Sequence, residues 1–175
     1  MHLILVGFMG SGKSTLGKRI SEQMGRPLID MDARLEEKFG CSITAYVAEF
    51  GIDSFRIEEA ELLIAIMKEP ESVIATGGGT PCADGAIAFM REHGVVVHLS
   101  VSVPELVKRL KGNLSSRPLL ADVHPDDLER VIGRNLLVRA ACYGGAHAKW
   151  DNHSYDDDQL ASKLSSIGWR LREAL

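Results

Sequence analysis

No stretch of this 175-residue chain stays apolar for the length of a membrane span. Its first residues also lack the basic segment and apolar core of a secretory leader. The short run His2 to Val6 reads as a strand instead. Cysteine is scarce: Cys41, Cys82 and Cys142 are far apart, odd in number, and show neither CxxC nor zinc spacing. They read as small, semi-buried residues without chemistry in a reduced, cytoplasmic setting. A basic tract is missing too. Lys and Arg total 20 against 24 Asp and Glu, a net charge of −4, so no charged surface for nucleic acid is expected. An anionic ligand would need positive charge concentrated locally. There is no internal repeat, low-complexity tract or linker, so residues 1–175 read as one domain, long enough to bury a core without disulfides or metal. An apolar fraction of 45% and a charged fraction of 25% belong to an ordinary soluble globular protein.

What is present is alternation. The segments 2–6 (HLILV), 27–29 (PLI), 72–76 (SVIAT) and 95–100 (VVVHLS), with a weaker fifth at 148–152 (AKWDN), are continuously apolar rather than alternating. Strands covered by helices on both faces read this way. Between them, Leu16, Ile20 and Met24 mark one face of a helix over 14–25. Further stripes lie at 55–68 (Leu62, Leu63, Ile66, Met67), 126–138 (Leu128, Val131, Ile132, Leu136) and 157–173 (Leu160, Leu164, Ile167, Leu171). Strand–helix alternation implies parallel strands joined by right-handed crossovers, an α/β doubly wound sheet. The stretch 112–125 (GNLSSRPLLADVHP) follows no period, and a loop of that length inside a compact domain is usually functional or disordered.

Residues 7–14 spell G-x-x-x-x-G-K-S, preceded by a strand and followed by an amphipathic helix. Glycines let successive backbone N–H groups converge, and the positive end of the helix dipole adds to them, so the loop fits a di- or triphosphate. Gly10, Ser11, Gly12, Lys13, Ser14 and Thr15 are the nucleotide-holding set. Lys13 would reach the β/γ oxygens, and the Ser14 hydroxyl would help complete a Mg²⁺ shell.

Ligands of an open parallel sheet sit beyond the carboxyl ends of its strands. There the chain supplies Asp30 and Asp32 after the second strand and Gly77 to Gly79 after the third. Two carboxylates beside a triphosphate suggest one at the metal and one at an acceptor hydroxyl. Asp32 could instead cap a helix over 33–39. Three consecutive glycines could be a tight turn or bare amides held close to a polar ligand. Arg56 could be an ordinary surface ion pair with Glu59, Arg139 could complement a helix C-terminus, and Arg117 could be a solvated loop charge. Alternatively, their forks would match carboxylate or phosphate geometry.

Taken together, GFMGSGKST, DMD, FRIEE, GGG, RPLL and RAACY in this order resemble the shikimate kinase family over most of the chain. The resemblance implies a five-stranded sheet of order 2-3-1-4-5, with a substrate-binding subregion over 32–62 and a lid over 112–125. It implies ATP- and Mg²⁺-dependent transfer of the γ-phosphoryl group to the 3-hydroxyl of shikimate, in aromatic amino-acid biosynthesis. On this resemblance Asp30 acts at the Mg²⁺ site through water, and Asp32 is the candidate general base. Arg56 and Arg139 hold the shikimate carboxylate, with the Gly78 and Gly79 backbone on its hydroxyl side. Arg117 swings against the phosphates, making it catalytic with Lys13 and Asp32, and Arg109 stacks on adenine. A monomer in the cytoplasm, with no nucleic-acid or membrane partner, is expected.

Two rivals stand beside this reading. One is another small-molecule kinase of the same architecture, acting on gluconate or a nucleoside monophosphate. The other is a nucleotide-binding regulatory module that has lost turnover, which would be expected to show damage at Lys13, Asp32 or Arg117; all three are intact.

Overall fold

The structure is a computed structural model and describes residues 1–112, 120, 123–151 and 156–168. In chain order it runs β1 (His2–Val6), α1 (Lys13–Met24), β2 (Leu28–Asp30), α2 (Met31–Phe39), α3 (Ile43–Ile66) and β3 (Val73–Ala75). There follow a 3₁₀ turn at Thr80–Cys82, α4 (Ala86–His93), β4 (Gly94–Ser100) and α5 (Val103–Leu110). A second 3₁₀ turn at Pro125–Asp127 leads into α6 (Leu128–Gly144), β5 (Ala148–Asp151) and α7 (Asp157–Ser166).

The five strands form one parallel sheet in the order β2-β3-β1-β4-β5. β1 lies at its centre, with Leu3 opposite Val73 on one side and Val95 on the other. Because side chains alternate across a strand, Leu3 and Leu5 enter one core while Ile4 and Val6 enter the other. The first core is closed by Leu16 and Ile20 of α1 and by Leu160 and Leu164 of α7. The second is closed by Leu63 and Ile66 of α3 and Met90 of α4. Both faces being covered is why β1 reads as continuously apolar. A third cluster gathers Phe8, Leu106, Leu110, Leu128 and Ile132, so α5 and α6 pack beside the loop that follows β1.

The expected strands are all found, within a residue or two at their ends, and so is the expected sheet order. Three helical stretches go beyond the expectation: α4, α5 and residues 43–54 of α3. α3 is bent at Gly51, whose φ of 85° and ψ of 162° interrupt the helix. At the C-terminus, α7 ends at Ser166, and Leu171 of the anticipated stripe lies outside the described residues.

One correction concerns the cysteines. Cys82, at the end of the first 3₁₀ turn, and Cys142, in α6, form a disulfide with Cα atoms 5.2 Å apart, leaving Cys41 as the free thiol. They were expected to carry no chemistry because a separation of 60 residues gives no local signal. The fold supplies the proximity by packing α6 against that turn.

Candidate active site

The loop leaving β1 turns at Gly7, whose φ is 150° and where a Cβ would stand 2.6 Å from the carbonyl oxygen of Leu99. Only glycine fits that approach. Gly12, at φ 88°, is the N-cap of α1, and no side chain caps this helix or puts negative charge in its first turn. The helix N-terminus is thereby left for an external anion, as the motif requires. Lys13 is buried, its Nζ donating to the carbonyls of Gly7 at 2.9 Å and Phe8 at 3.2 Å, within the loop.

Ser14 and Asp30 meet at 2.5 Å, hydroxyl to carboxylate Oδ2. Two hard oxygen donors side by side at the mouth of a phosphate loop suit a Mg²⁺ ion. The other oxygen of Asp30 accepts from the backbone N–H groups of Asp32 and Ala33, so Asp30 is the N-cap of α2. The capping role considered for Asp32 therefore belongs to Asp30, and the helix begins at Met31 rather than 33. Asp32 is in its first turn, with its carboxyl free for other work.

A cleft of about 760 Å³ runs over the loop, walled by Gly10, Gly12, Lys13, Ser14, Thr15 and Arg109. Arg109 donates to the Gly10 carbonyl at 3.2 Å and to Glu105 at 2.9 Å, which holds it on the nucleotide side. Beside the cleft lies a smaller chamber of about 170 Å³ containing Arg56, Arg139, Glu59 and Gly77 to Gly79. The two share Met9, Asp32, Glu36 and Gly78. Asp32 thus stands at the junction, open to the cleft but closely surrounded by protein on its other sides. Its pKa is pushed up to about 6, chiefly by desolvation, with Asp30, Glu59 and Glu36 adding repulsion and Lys13 opposing. A carboxylate tuned toward neutrality is a better base than an ordinary one.

In the chamber, Arg56 donates to Glu59 at 2.5 Å, and Glu59 also accepts from the Thr80 hydroxyl at 2.6 Å. With Glu59 only 2% exposed, this is a buried anchor and not the surface pair considered from sequence. A Cβ on Gly79 would stand 2.5 Å from a guanidinium nitrogen of Arg56, so a side chain there would displace the Arg56 fork from its present position. Arg139 comes from α6. Its Nη1 donates to the Gly78 carbonyl at 3.1 Å, and its guanidinium lies 5.4 Å from the centre of the Phe8 ring. It therefore serves the chamber rather than a helix terminus. The two arginines share the chamber with the carboxylates of Asp32, Glu36 and Glu59, so the local excess of positive charge expected in an acidic chain is not found among its lining residues.

The family model for shikimate kinase matches residues 9–166. The chain belongs to the shikimate kinase family. A shikimate kinase from Salinibacter ruber is 37% identical over 94% of this chain and 80% of its own. The crystal structure of shikimate kinase from Bacteroides thetaiotaomicron superimposes with a TM-score of 0.85, at 32% identity over 95% of this chain and 96% of that one. The shikimate kinase from Acinetobacter baumannii, solved in complex with shikimate, gives the same TM-score at 30% identity over 95% and 91%.

Set beside this family, the expected residues fall into two groups. Lys13, Ser14, Asp30 and Arg109 border the larger cleft; Arg56, Gly79 and Arg139 border the chamber; Asp32 and Gly78 border both. Ser11 is fully buried in the loop. Arg117 and most of the expected lid, residues 113–119 and 121–122, lie outside the described residues. Glu36, Ile43 and Val47 line the chamber without having been singled out from sequence. The first two turns of α3 were the missed signal: Ser42 caps them, accepting from Ala45 N–H, but their apolar residues face the chamber rather than a core.

Proposed function

We propose that this chain transfers the γ-phosphoryl group of ATP to the 3-hydroxyl of shikimate, giving shikimate 3-phosphate and ADP. The observation that carries the proposal is the position of Asp32 where a phosphate-loop cleft meets a chamber ringed by two arginines and a glycine turn. A nucleotide in the first and a carboxylated polyol in the second would bring γ-phosphate and hydroxyl together over a carboxylate able to take the proton. Arg56 and Arg139 would bind the acceptor carboxylate, and the backbone of Gly78 and Gly79 would face its hydroxyls. Lys13 would neutralise charge on the transferred group, and Arg109 would lie by the adenine. Arg117 enters the set on the sequence alone. Ser14 and Asp30 would hold Mg²⁺, which supplies charge neutralisation at the phosphates.

The structural setting of the proposal is a single domain whose substrate subregion spans 32–62. A monomer in the cytoplasm, acting on small molecules without nucleic-acid or membrane partners, completes it. Among the described residues no helix is long and apolar enough to cross a membrane.

The test is ADP release from the purified protein with MgATP, run with shikimate, with gluconate, and with neither. Stimulation by shikimate is the expected result. Stimulation by gluconate alone would move the substrate, and no stimulation by either, with ATP still bound, would point to another acceptor or to a module without turnover.

A further inference from the structure

Tyr143 is only 2% exposed, and a buried phenol must place its hydroxyl against a partner. Its ring lies against the His98 imidazole, centroids 4.9 Å apart, and its hydroxyl donates to the Gly78 carbonyl at 2.6 Å. Arg139, one turn earlier on α6, donates to that same carbonyl. Two side chains of one helix face therefore converge on one backbone oxygen of the chamber's glycine turn.

The consequence follows from peptide geometry. The unit joining Gly78 to Gly79 is planar and trans, so fixing the direction of the Gly78 carbonyl also fixes that of the Gly79 N–H, which points the opposite way. Neither glycine has a side chain to hold this plane by packing. The Gly78 position is tight as well: a Cβ there would stand 3.2 Å from Met9 N and 3.6 Å from Arg139 Nη1. The turn at Gly78 is thus packed between the phosphate loop and Arg139. The phosphate loop keeps hydrogen bonds of its own, including Ser11 N–H to the Phe8 carbonyl at 3.1 Å.

We propose that Tyr143 is a positioning residue for the acceptor: through its hydrogen bond to the Gly78 carbonyl it orients the Gly79 amide and the Arg139 fork together. The inference rests on the reading that the smaller chamber takes the carboxylated acceptor. It predicts an effect on acceptor affinity that a tyrosine serving only as core would not have.

Tyr143→Phe tests it, because the ring, its burial and its contact with His98 are kept while one hydroxyl is lost. In the ADP-release assay, with shikimate and ATP varied in turn, the KM for shikimate rises about five- to tenfold, the size of one lost hydrogen bond. The KM for ATP and kcat stay within about twofold. In the double variant with Arg139→Lys, the KM rises by less than the product of the single effects, because both groups act through one carbonyl. An unchanged shikimate KM, an equal loss in every parameter, or effects that multiply independently would each overturn the proposal. If the wild-type enzyme uses gluconate and not shikimate, the substrate reading fails, and the same comparison made with gluconate still decides the role of Tyr143.

Discussion

The site's chemistry turns on three side chains whose surroundings set what each can do. Lys13 is buried against the loop that would hold the phosphates it neutralises, so Lys13→Ala removes charge from a low-dielectric position. Turnover should fall by roughly 10²-fold or more, since a preorganised electrostatic contact of this kind contributes that much. The far-UV spectrum should stay that of the folded protein; near-normal turnover would take Lys13 out of the mechanism. For Asp32 the sign of the pH dependence follows from its raised pKa. The base form is the carboxylate, so kcat/KM for the acceptor should fall as pH drops through about 6, well above the range of an ordinary aspartate. Asp32→Asn should lower kcat by roughly 10²- to 10⁴-fold and abolish that acid limb. A loss of thermal stability alone is not expected, because the cap of α2 is Asp30. Arg139→Lys keeps the charge but not the fork; the KM for shikimate should rise about tenfold or more with a smaller effect on kcat.

At the scale of elements, legibility followed how a segment buries its side chains. β1 and β4 were plain because both of their faces enter cores, and α1 and α7 because each lays one continuous stripe on the sheet. α4 and α5 were not, since each is short and buries only a pair of residues deeply, Ala86 with Met90 and Leu106 with Leu110. The opening turns of α3 escaped because Ile43 and Val47 face a ligand chamber, so they show no core periodicity. Glu59 was legible as the partner of Arg56, but its burial depends on the turn at Gly77 and the 3₁₀ turn at Thr80–Cys82 being folded over it. The Cys82–Cys142 bridge was least legible, since it joins elements 60 residues apart. It ties the turn after Gly79 to the helix bearing Arg139, and closing so long a loop restricts the unfolded chain by about 2–4 kcal/mol. Replacing both cysteines by serine should therefore lower Tm by on the order of 5–15 °C. Thiol titration of the denatured protein without reductant should find Cys41 alone; all three thiols reacting would refute the bridge.

The fold places two differently built cavities at the carboxyl end of one parallel sheet. On the proposed reading the loop after β1 would hold phosphate with backbone N–H groups, Lys13 and Ser14, while side chains from α3 and α6 converge on the turn after β3. Asp32 and Gly78 belong to both, so the proposed nucleotide and acceptor sites share part of their wall. Nucleotide binding should consequently stabilise the fold as a unit rather than the loop alone. At a MgADP concentration about 100 times Kd, linkage gives about 2.7 kcal/mol, which for a domain of this size is a rise in Tm of roughly 5–11 °C. Differential scanning fluorimetry of the wild type and Lys13→Ala checks this, with the variant expected to show a much smaller rise at the same concentration. Shikimate added to the MgADP complex should raise Tm again, and the increment should shrink in Arg139→Lys, whose phosphate loop is intact. An undiminished increment in that variant would place the acceptor away from the chamber. A MgADP response lost in Arg139→Lys as well would mean that the arginine supports the fold of both sites rather than the binding of one.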